Sequence, residues 1–315
     1  MPNQLSQKII NYSHIAQMAF NVPLLATAQL ADAVTSFLQN KIARSSIDHI
    51  GGGQEMAAGN VDTIELGSPE HGESIAVIPV HGILVPRRFS IEACEEMMSY
   101  ELLRTQLTKA LNDDGISEIV LDVNSGGGNA QGAFEIAEFI YQSRSIKPIR
   151  CIVNFNAFSG AYLIAAACSE IIVSDTSGVG SIGVYTKRLD LTQYYQDQGV
   201  KIHSFYRGAR KIDFHPDTEL SEEERSNIES NMESTYQKFI HAVAKYRGMT
   251  AEAVIATEAD CFEGQKGIEL GLADRLATPQ DAINQITQNV LSNQTPMAQQ
   301  SISIQAAHMR MQSQL

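Results

Sequence analysis

Cysteines, basic residues and long apolar runs are all scarce in this sequence of 315 residues. Four cysteines are present, and they lie far apart without forming a CxxC pair: Cys94, Cys151, Cys168 and Cys261. This spacing indicates neither a disulfide framework nor a cysteine metal site. Cys151 and Cys168 stand in apolar runs that are typical of buried side chains. We therefore expect a reducing compartment, no metal and no cofactor.

The charge balance and the polar interruptions exclude two further classes of protein. Lys and Arg number 23 against 36 for Asp and Glu, which gives a net charge of −13 and argues against a nucleic-acid-binding surface. No stretch of about 18 or more residues is free of polar side chains, and the start lacks a secretory pattern. We therefore expect no membrane anchor and a cytoplasmic location. A hydrophobic fraction of 43% is that of an ordinary globular protein.

Changes in composition along the chain predict four regions. Residues 1–50 are predicted to form a helical region broken at Pro23, with a second helix from about Leu25 to Ala43. Glycine-rich residues 51–73 indicate a linker. From 74 to 278, short β-branched runs alternate with helical periodicity, which predicts a largely parallel α/β domain. Residues 279–315 are predicted to be a polar, largely disordered tail after a short helix near 281–291.

The second half of the α/β domain contains two further predicted elements. Residues 201–206 are predicted to be a strand that leads into a long polar loop. A helix is predicted to begin at a capping box, in which Ser221 binds the amide of Glu224 while the Glu224 side chain reaches back. This helix is expected to continue to about Arg247 and to stop at Gly248.

The stretch 154–184 holds the strongest candidate site. We expect a turn at Asn154 and Asn156, then Ser159 and Gly160, then a buried helix in the alanine-rich run 161–168. Free amides and the helix dipole at such a helix start would stabilise an anionic serine oxygen. A serine before a helix is more often a simple N-cap, so this feature alone leaves both interpretations open.

Three glycine-rich turns follow predicted strands, in the segments NSGGG (124–128), FSGAY (158–162) and SGVGSIG (177–183). Glycine lets backbone amides approach a ligand closely. The segments have neither the GxxxxGK[ST] nor the GxGxxG form, so nucleotide binding is weakly indicated. An oxyanion hole, with amides from one glycine turn and from the residue after a nucleophile, is the better interpretation.

A nucleophilic serine needs a base, and residue types leave that choice open. His81 at a strand end and His215 in the polar loop could both reach a cleft. Lys211, in the same loop, could serve if burial kept it neutral. A loop lysine is more often solvated than catalytic.

The order of the motifs resembles a known family. The span from about Ile75 to Leu276 is similar to the signal peptide peptidase A family of serine peptidases, peptidase family S49, which is built on the Clp protease/crotonase fold. The similarity is carried by several blocks in sequence order: DVNSGGG, SGAY at Ser159, GSIGV at Ser181, the loop with Lys211 before SEEE, and the glycine-bearing block 264–274. The resemblance implies an α/β spiral of ββα units.

The resemblance also implies roles for particular residues. It makes Ser159 the nucleophile, Lys211 the general base and Ser181 a hydrogen-bond partner of the lysine. It implies an oxyanion hole from the amide of Gly160 and from the turn at Gly127 or Gly128. Gly126 stands where the family usually has proline, so we expect a looser turn. The expected substrate-binding residues flank these positions: Phe158, Tyr162, Val80 and His81.

Two further segments are similar to one branch of the family, the head maturation or capsid assembly proteases of tailed phages. They are the stretch NVPLL (21–25) and the loop GARKIDFHPDTELSEEER (208–225). The branch implies a homo-oligomeric serine endopeptidase that cleaves capsid or scaffold proteins through an acyl-enzyme, without a nucleic-acid partner. The alternatives are a signal-peptide-degrading or general cytoplasmic peptidase of the family, a crotonase-like acyl-CoA enzyme without a nucleophile, and a non-catalytic capsid assembly protein.

Overall fold

The structure is a computed structural model, and it describes residues 22–30, 62–66, 73–87 and 97–292. Most of the predicted N-terminal helical region and linker, and the end of the predicted tail, lie outside these residues. The predicted division into four regions therefore stays a prediction.

A mainly parallel sheet forms the centre of the fold. Its middle strands are β3 (Glu73–His81), β6 (Ile116–Ser125) and β8 (Ile149–Phe158), all parallel, with β2 (Asp62–Leu66) antiparallel on the outside of β3. The first half of β8 pairs with β9 (Glu170–Val173), and its last residues pair with β10 (Gly178–Gly180). The predicted parallel α/β architecture is confirmed.

Short strands complete this sheet and form a second one. In the central sheet, β11 (Cys261–Glu263) is antiparallel to β10, and β12 (Arg275–Leu276) is parallel to β9. In the second sheet the spatial order is β1 (Leu24–Ala26), β7 (Gly127–Asn129), β4 (Ile83–Val85) and β5 (Met97–Ser99). Because β7 follows β6 directly in the chain, the two sheets meet at the predicted NSGGG turn.

Helices cover both faces of the central sheet. The described helices are α1 (Tyr100–Asn112), α2 (Ala133–Ser143), α3 (Gly160–Ala166), α4 (Thr192–Asp197), α5 (Glu222–Arg247), α6 (Ala251–Ile255), α7 (Gly264–Glu269) and α8 (279–292). The main core joins α1, α2, α3 and α5 to one face. On the opposite face, α8 buries Ala282, Ile286 and Val290 against alternate strand residues such as Ile75 and Ile152. The helix predicted near 281–291 is thus present, and it packs on the sheet.

Two local predictions near the candidate site are wrong. Residues 24–26 form a strand, because they find hydrogen-bonding partners in β7 and at Tyr185; the helix there begins at residue 28, where Thr27 caps the amide of Leu30 at 3.3 Å. Asn154 and Asn156 lie within β8, because pairing with β10 extends that strand to Phe158.

Two further predictions fail, wholly or in part, in the second half of the domain. Residues 201–206 carry no regular structure and all are exposed, because none of the described strands pairs with them. Half of the capping box forms: Ser221 accepts from the Glu224 amide at 3.1 Å. The Glu224 side chain does not reach back, because it binds Arg188 and the amide of Phe214. Gly248 ends the helix as predicted, with a φ of 65°.

Candidate active site

Ser159 lies at the tight turn between β8 and α3. Its φ of 54° is uncommon for a residue with a side chain and marks a strained position of the kind found at functional sites. Its amide donates to the carbonyl of Gly180 at 2.9 Å, and its own carbonyl accepts from Leu163 at 2.9 Å. These bonds fix the serine backbone from both sides.

The side chain of Ser159 is not used as a helix cap. It makes no capping hydrogen bond, and the residue is 0% exposed. Its buried Oγ has no hydrogen-bond partner within the part of the chain that the structure describes. A buried hydroxyl without a partner costs stability, so this position favours a chemical role over the simple N-cap.

The three glycines predicted to form an oxyanion hole lie together. A Cβ placed on Gly127, whose φ is 97°, would stand 2.9 Å from the amide nitrogen of Gly160. A Cβ on Gly160 would in turn stand 3.6 Å from the amide nitrogen of Gly128. The N-terminus of α3 and the start of β7 therefore bring backbone amides to one place beside Ser159, which is the arrangement an oxyanion hole requires.

Ser181 directly follows β10, the strand that pairs with the end of β8. It follows Gly180, whose carbonyl holds the Ser159 amide, and its own amide donates to the carbonyl of Asp260 at 2.8 Å. Burial and the Asp260 carboxylate raise the pKa of the Cys261 thiol, whereas a hydrogen bond with the Ser181 side chain lowers it. The Ser181 hydroxyl thus lies beside the Cys261 thiol.

Lys211 makes no hydrogen bond with the Ser159 hydroxyl, which has no partner among the described residues. It lies in an exposed turn in which its amide donates to the carbonyl of Gly208 at 3.1 Å, and its side chain is exposed. The role predicted for Lys211 stays a prediction.

A buried ion pair anchors the loop that carries Lys211. Arg188 Nε donates to Glu224 at 2.8 Å, and both side chains are less than a tenth exposed. Arg188 also donates to the carbonyls of Thr218 at 2.7 Å and His215 at 3.2 Å, and Glu224 accepts from the Phe214 amide at 2.8 Å. This anchor holds the residues just after Lys211 against the start of α5, and sequence reasoning missed it.

The predicted substrate-binding residues are dispersed. Tyr162 and Val80 are fully buried in the core, and the Tyr162 hydroxyl donates to the carbonyl of Leu272 at 3.0 Å. His81 is partly exposed and lies 2.9 Å from Asp122. Phe158 is partly exposed and directly precedes Ser159. Of the four, only Phe158 adjoins the nucleophile in the chain.

The other histidine considered as a base is engaged elsewhere. His215 is exposed and its Nδ1 contacts the carboxylate of Asp217. Among the described residues, no cluster of histidine, cysteine and carboxylate side chains could hold a metal ion.

Sequence reasoning also missed a residue at the centre of the site, Leu25 of β1. A Cβ on Gly127 would overlap the carbonyl oxygen of Leu25, and a Cβ on Gly160 would stand 3.0 Å from it. Local sequence gave no signal for this strand, because Pro23 restricts only its own backbone and that of Val22.

Comparison with known proteins gives the family to which this fold and site belong. Residues 141–292 match the model of Peptidase family S49. The chain is 33% identical over 290 residues to capsid assembly protease C of Escherichia phage lambda, which covers 89% of this chain and 66% of that protein. The chain belongs to peptidase family S49, a family of serine peptidases on the Clp protease/crotonase fold.

Two other relatives give the range of the family. Head-tail preconnector protein GP5 of Enterobacteria phage P21 is 34% identical over 90% of this chain and 58% of its own length. A protein of Enterococcus faecium named as a signal peptide peptidase SppA is 30% identical over 71% of this chain and 65% of its own length. The chain thus spans slightly less than two thirds of the phage lambda relative and less of the P21 protein.

Solved structures with related folds include both a peptidase and an acyl-CoA enzyme. A serine-to-alanine mutant of the 1510-N membrane-bound stomatin-specific protease has a TM-score of 0.41 and 16% identity, covering 66% of this chain and 81% of that one. An enoyl-CoA hydratase from Shewanella pealeana has the same TM-score with 11% identity, covering 75% and 74%. Similarity at this level does not discriminate between functions. Among the described helices, none has the length and apolar character needed to cross a membrane.

Proposed function

We propose that the protein is a serine endopeptidase in which Ser159 is the nucleophile and Lys211 the general base. The observation that carries the proposal is the turn at Ser159. Its buried hydroxyl has no partner among the described residues and stands beside the converging amides of Gly160, Gly127 and Gly128. An acyl-CoA enzyme of the crotonase type would need paired amides but no serine held in this strained conformation.

The proposed reaction is acyl transfer. Neutral Lys211 takes the proton of Ser159 as Oγ attacks the peptide carbonyl, and the backbone amides hold the resulting oxyanion. The intermediate expels the amine, which takes the proton from the Lys211 ammonium and leaves an acyl-enzyme. Water, deprotonated by Lys211, then releases the acid and restores Ser159. Lys211 must lie within hydrogen-bond distance of the Ser159 hydroxyl when this sequence begins.

The proposed substrates are capsid or scaffold proteins of an assembling phage head, in the cytoplasm of the bacterial host. Support comes from the similarity to the lambda capsid assembly protease and the P21 preconnector protein. The relative named as a signal peptide peptidase keeps a signal-peptide-degrading role as the second candidate. Purified scaffold and capsid proteins of the same phage, compared with a signal peptide, would separate the two roles.

We also propose a homo-oligomer. The segment 200–206, which pairs with none of the described strands, exposes several apolar side chains, among them Phe205 at 95% exposure. Exposed apolar patches and unpaired extended segments are typical of interfaces. Sedimentation velocity tests this directly, and replacing Phe205 with serine is expected to shift the protein towards monomer.

The catalytic assignment is tested with a fluorophosphonate probe and a peptide substrate. Ser159→Ala is expected to abolish labelling, and Ser159→Ala and Lys211→Ala are each expected to lower hydrolysis by at least about a thousandfold. Lys201→Ala is the matched control, since Lys201 lies in the same exposed stretch, and it is expected to retain native hydrolysis. Full activity in either the serine or the lysine variant would refute the assignment.

A further inference from the structure

The short strand β1 has hydrogen-bonded neighbours on both of its edges. On one edge it runs antiparallel to β7, with Leu25 opposite Gly128 and Ala26 opposite Gly127. On the other edge the amide of Leu24 donates to the carbonyl of Tyr185 at 2.8 Å, and Tyr185 donates back at 3.0 Å. An extended peptide bound by strand addition makes main-chain contacts of this kind.

The carbonyl oxygen of Leu25 lies beside two glycines of the proposed oxyanion hole. A Cβ on Gly127 would overlap this oxygen, and a Cβ on Gly160 would stand 3.0 Å from it. The carbonyl of a bound substrate must also lie beside the residues of such a hole. The position of Leu25 thus resembles that of the residue whose carbonyl is attacked.

The side chains of β1 alternate as those of a bound substrate would. Leu25 is 0% exposed and belongs to the main core, and a Cβ on Gly160 would stand 3.3 Å from its Cβ. Leu24 and Ala26 point to a separate, smaller cluster that includes Tyr185 and Leu30. One leucine thus fills a deep pocket beside the nucleophile, and its neighbours lie in a shallow one.

We propose, resting on the function proposed above, that β1 is an internal substrate-like strand that fills the peptide groove and must leave before another substrate can bind. Leu25 occupies the pocket for the residue on the acyl side of the cleaved bond, so the site is expected to prefer a medium-sized aliphatic residue there. External substrate then binds only to the fraction of molecules in which β1 has opened, which lowers the apparent affinity by that fraction.

The first test measures peptide binding without catalysis. In chains that carry Ser159→Ala, a fluorescent peptide with the sequence of residues 20–29 (FNVPLLATAQ) is titrated and followed by anisotropy. Leu24→Pro removes the amide that donates to Tyr185, while its side chain lies outside the main core. We expect this variant to bind the peptide at least about tenfold more tightly than the chain with native β1.

Two controls give the experiment its specificity. Ala28→Pro adds a proline at the exposed first residue of the following helix, where proline is tolerated, and is expected to bind the peptide like the native strand. The peptide FNVPLDATAQ, with aspartate at the position of Leu25, is expected to lose binding because its charge would enter an apolar pocket.

Equal binding by the chains with and without Leu24→Pro, or unchanged binding of the aspartate peptide, would overturn the proposal. If Leu24→Pro prevents folding, Leu24→Gly replaces it, because glycine keeps the amide but weakens the strand. Peptide binding several-fold tighter than that of the native strand supports the proposal, and binding equal to that of the native strand overturns it. The same variants with Ser159 restored separate the two proposals. If the variants bind the peptide in the expected order but none hydrolyses it, the proposed peptidase activity is refuted and the proposed role of β1 stands. If Leu24→Pro changes neither peptide binding nor hydrolysis, the proposed role of β1 is refuted and the peptidase activity stands.

Discussion

The two halves of the proposed catalytic pair lie in regions of different character. Ser159 stands between β8 and a helix whose seven residues are all buried, and backbone hydrogen bonds hold it from two sides. Lys211 follows ten consecutive exposed residues, 201–210, and its loop is anchored beyond it, at Arg188 and Glu224. The proposed nucleophile and hole are therefore held by the core, whereas the proposed base lies in an exposed loop.

The largest expected effect follows from a substitution in the ordered region, at Gly128. A Cβ on Gly128 would overlap backbone atoms of Leu84, which cannot move without separating β4 from β7. Gly128→Ala is expected to destabilise the protein by at least about 3 kcal/mol and to lower hydrolysis at least about a hundredfold. Denaturant unfolding and peptide hydrolysis measure the two effects.

Gly126→Ala is the matched control for that substitution. Its Cβ would meet the end of the Leu30 side chain at 3.2 Å and the Thr27 hydroxyl at 3.4 Å, with no backbone atom among these contacts, and side-chain atoms can shift. We expect a change below about 1 kcal/mol. Equal effects of the two alanines would show that close approach of β4 does not set the geometry of the turn.

The next effect tests the loop side. Arg188→Leu leaves Glu224 buried without its cation, and breaking such a pair costs about 3–5 kcal/mol. Since the loop can open locally, we expect this cost to appear as faster trypsin cleavage at Arg207, Arg210 and Lys211 and as an at least about tenfold loss of hydrolysis. The melting temperature of the core is expected to change little.

Arg225→Leu is the control on the same helix. Arg225 is half exposed and lies 3.9 Å from Glu222, so its loss is expected to change neither proteolysis nor activity. A large fall in the melting temperature of Arg188→Leu would instead show that the ion pair stabilises the whole core. The loop with Lys211 would then unfold together with the region around Ser159 and not separately from it.

A smaller effect concerns Ser181, the residue that is predicted to connect Lys211 with the region around Ser159. If the Ser181 hydroxyl orients Lys211 in the active arrangement, Ser181→Ala should lower the catalytic rate by about 10- to 100-fold with little change in stability. Cys261→Ser replaces the present partner of that hydroxyl with another hydrogen-bonding group. It should therefore leave the rate within about threefold of native. The reverse order of effects would assign the Ser181 hydroxyl to packing against Cys261.

The sequence could predict those parts of the site that local patterns specify. Alternating β-branched runs, the glycine turns and the apolar run after Ser159 predict the strands and the helix that begins at Gly160, because each depends on residues adjacent in the chain. Leu24–Ala26 could not be placed in this way, since that strand exists only through pairing with β7 and Tyr185. Residues 201–206 show the opposite failure: a sequence suited to a strand has none of the described strands beside it, and without a partner it stays unpaired.

The smallest expected effect concerns a buried carboxyl group in the ordered region, that of Glu118. Glu118 in β6 contacts Arg150 in β8, and burial raises the pKa of the Glu118 carboxyl above its ordinary value although Arg150 lowers it. The folded protein then keeps a proton that the unfolded chain releases, so the free energy of unfolding falls as pH rises from the ordinary carboxyl range through the raised pKa. Glu118→Gln removes this titration, and its unfolding free energy, measured by urea titration at a series of pH values, is expected to fall less across that window than the native value does. An identical slope in both proteins would mean that Arg150 fully offsets both the burial of Glu118 and the repulsion from Glu170, and that the stability of the ordered side does not depend on the titration of Glu118.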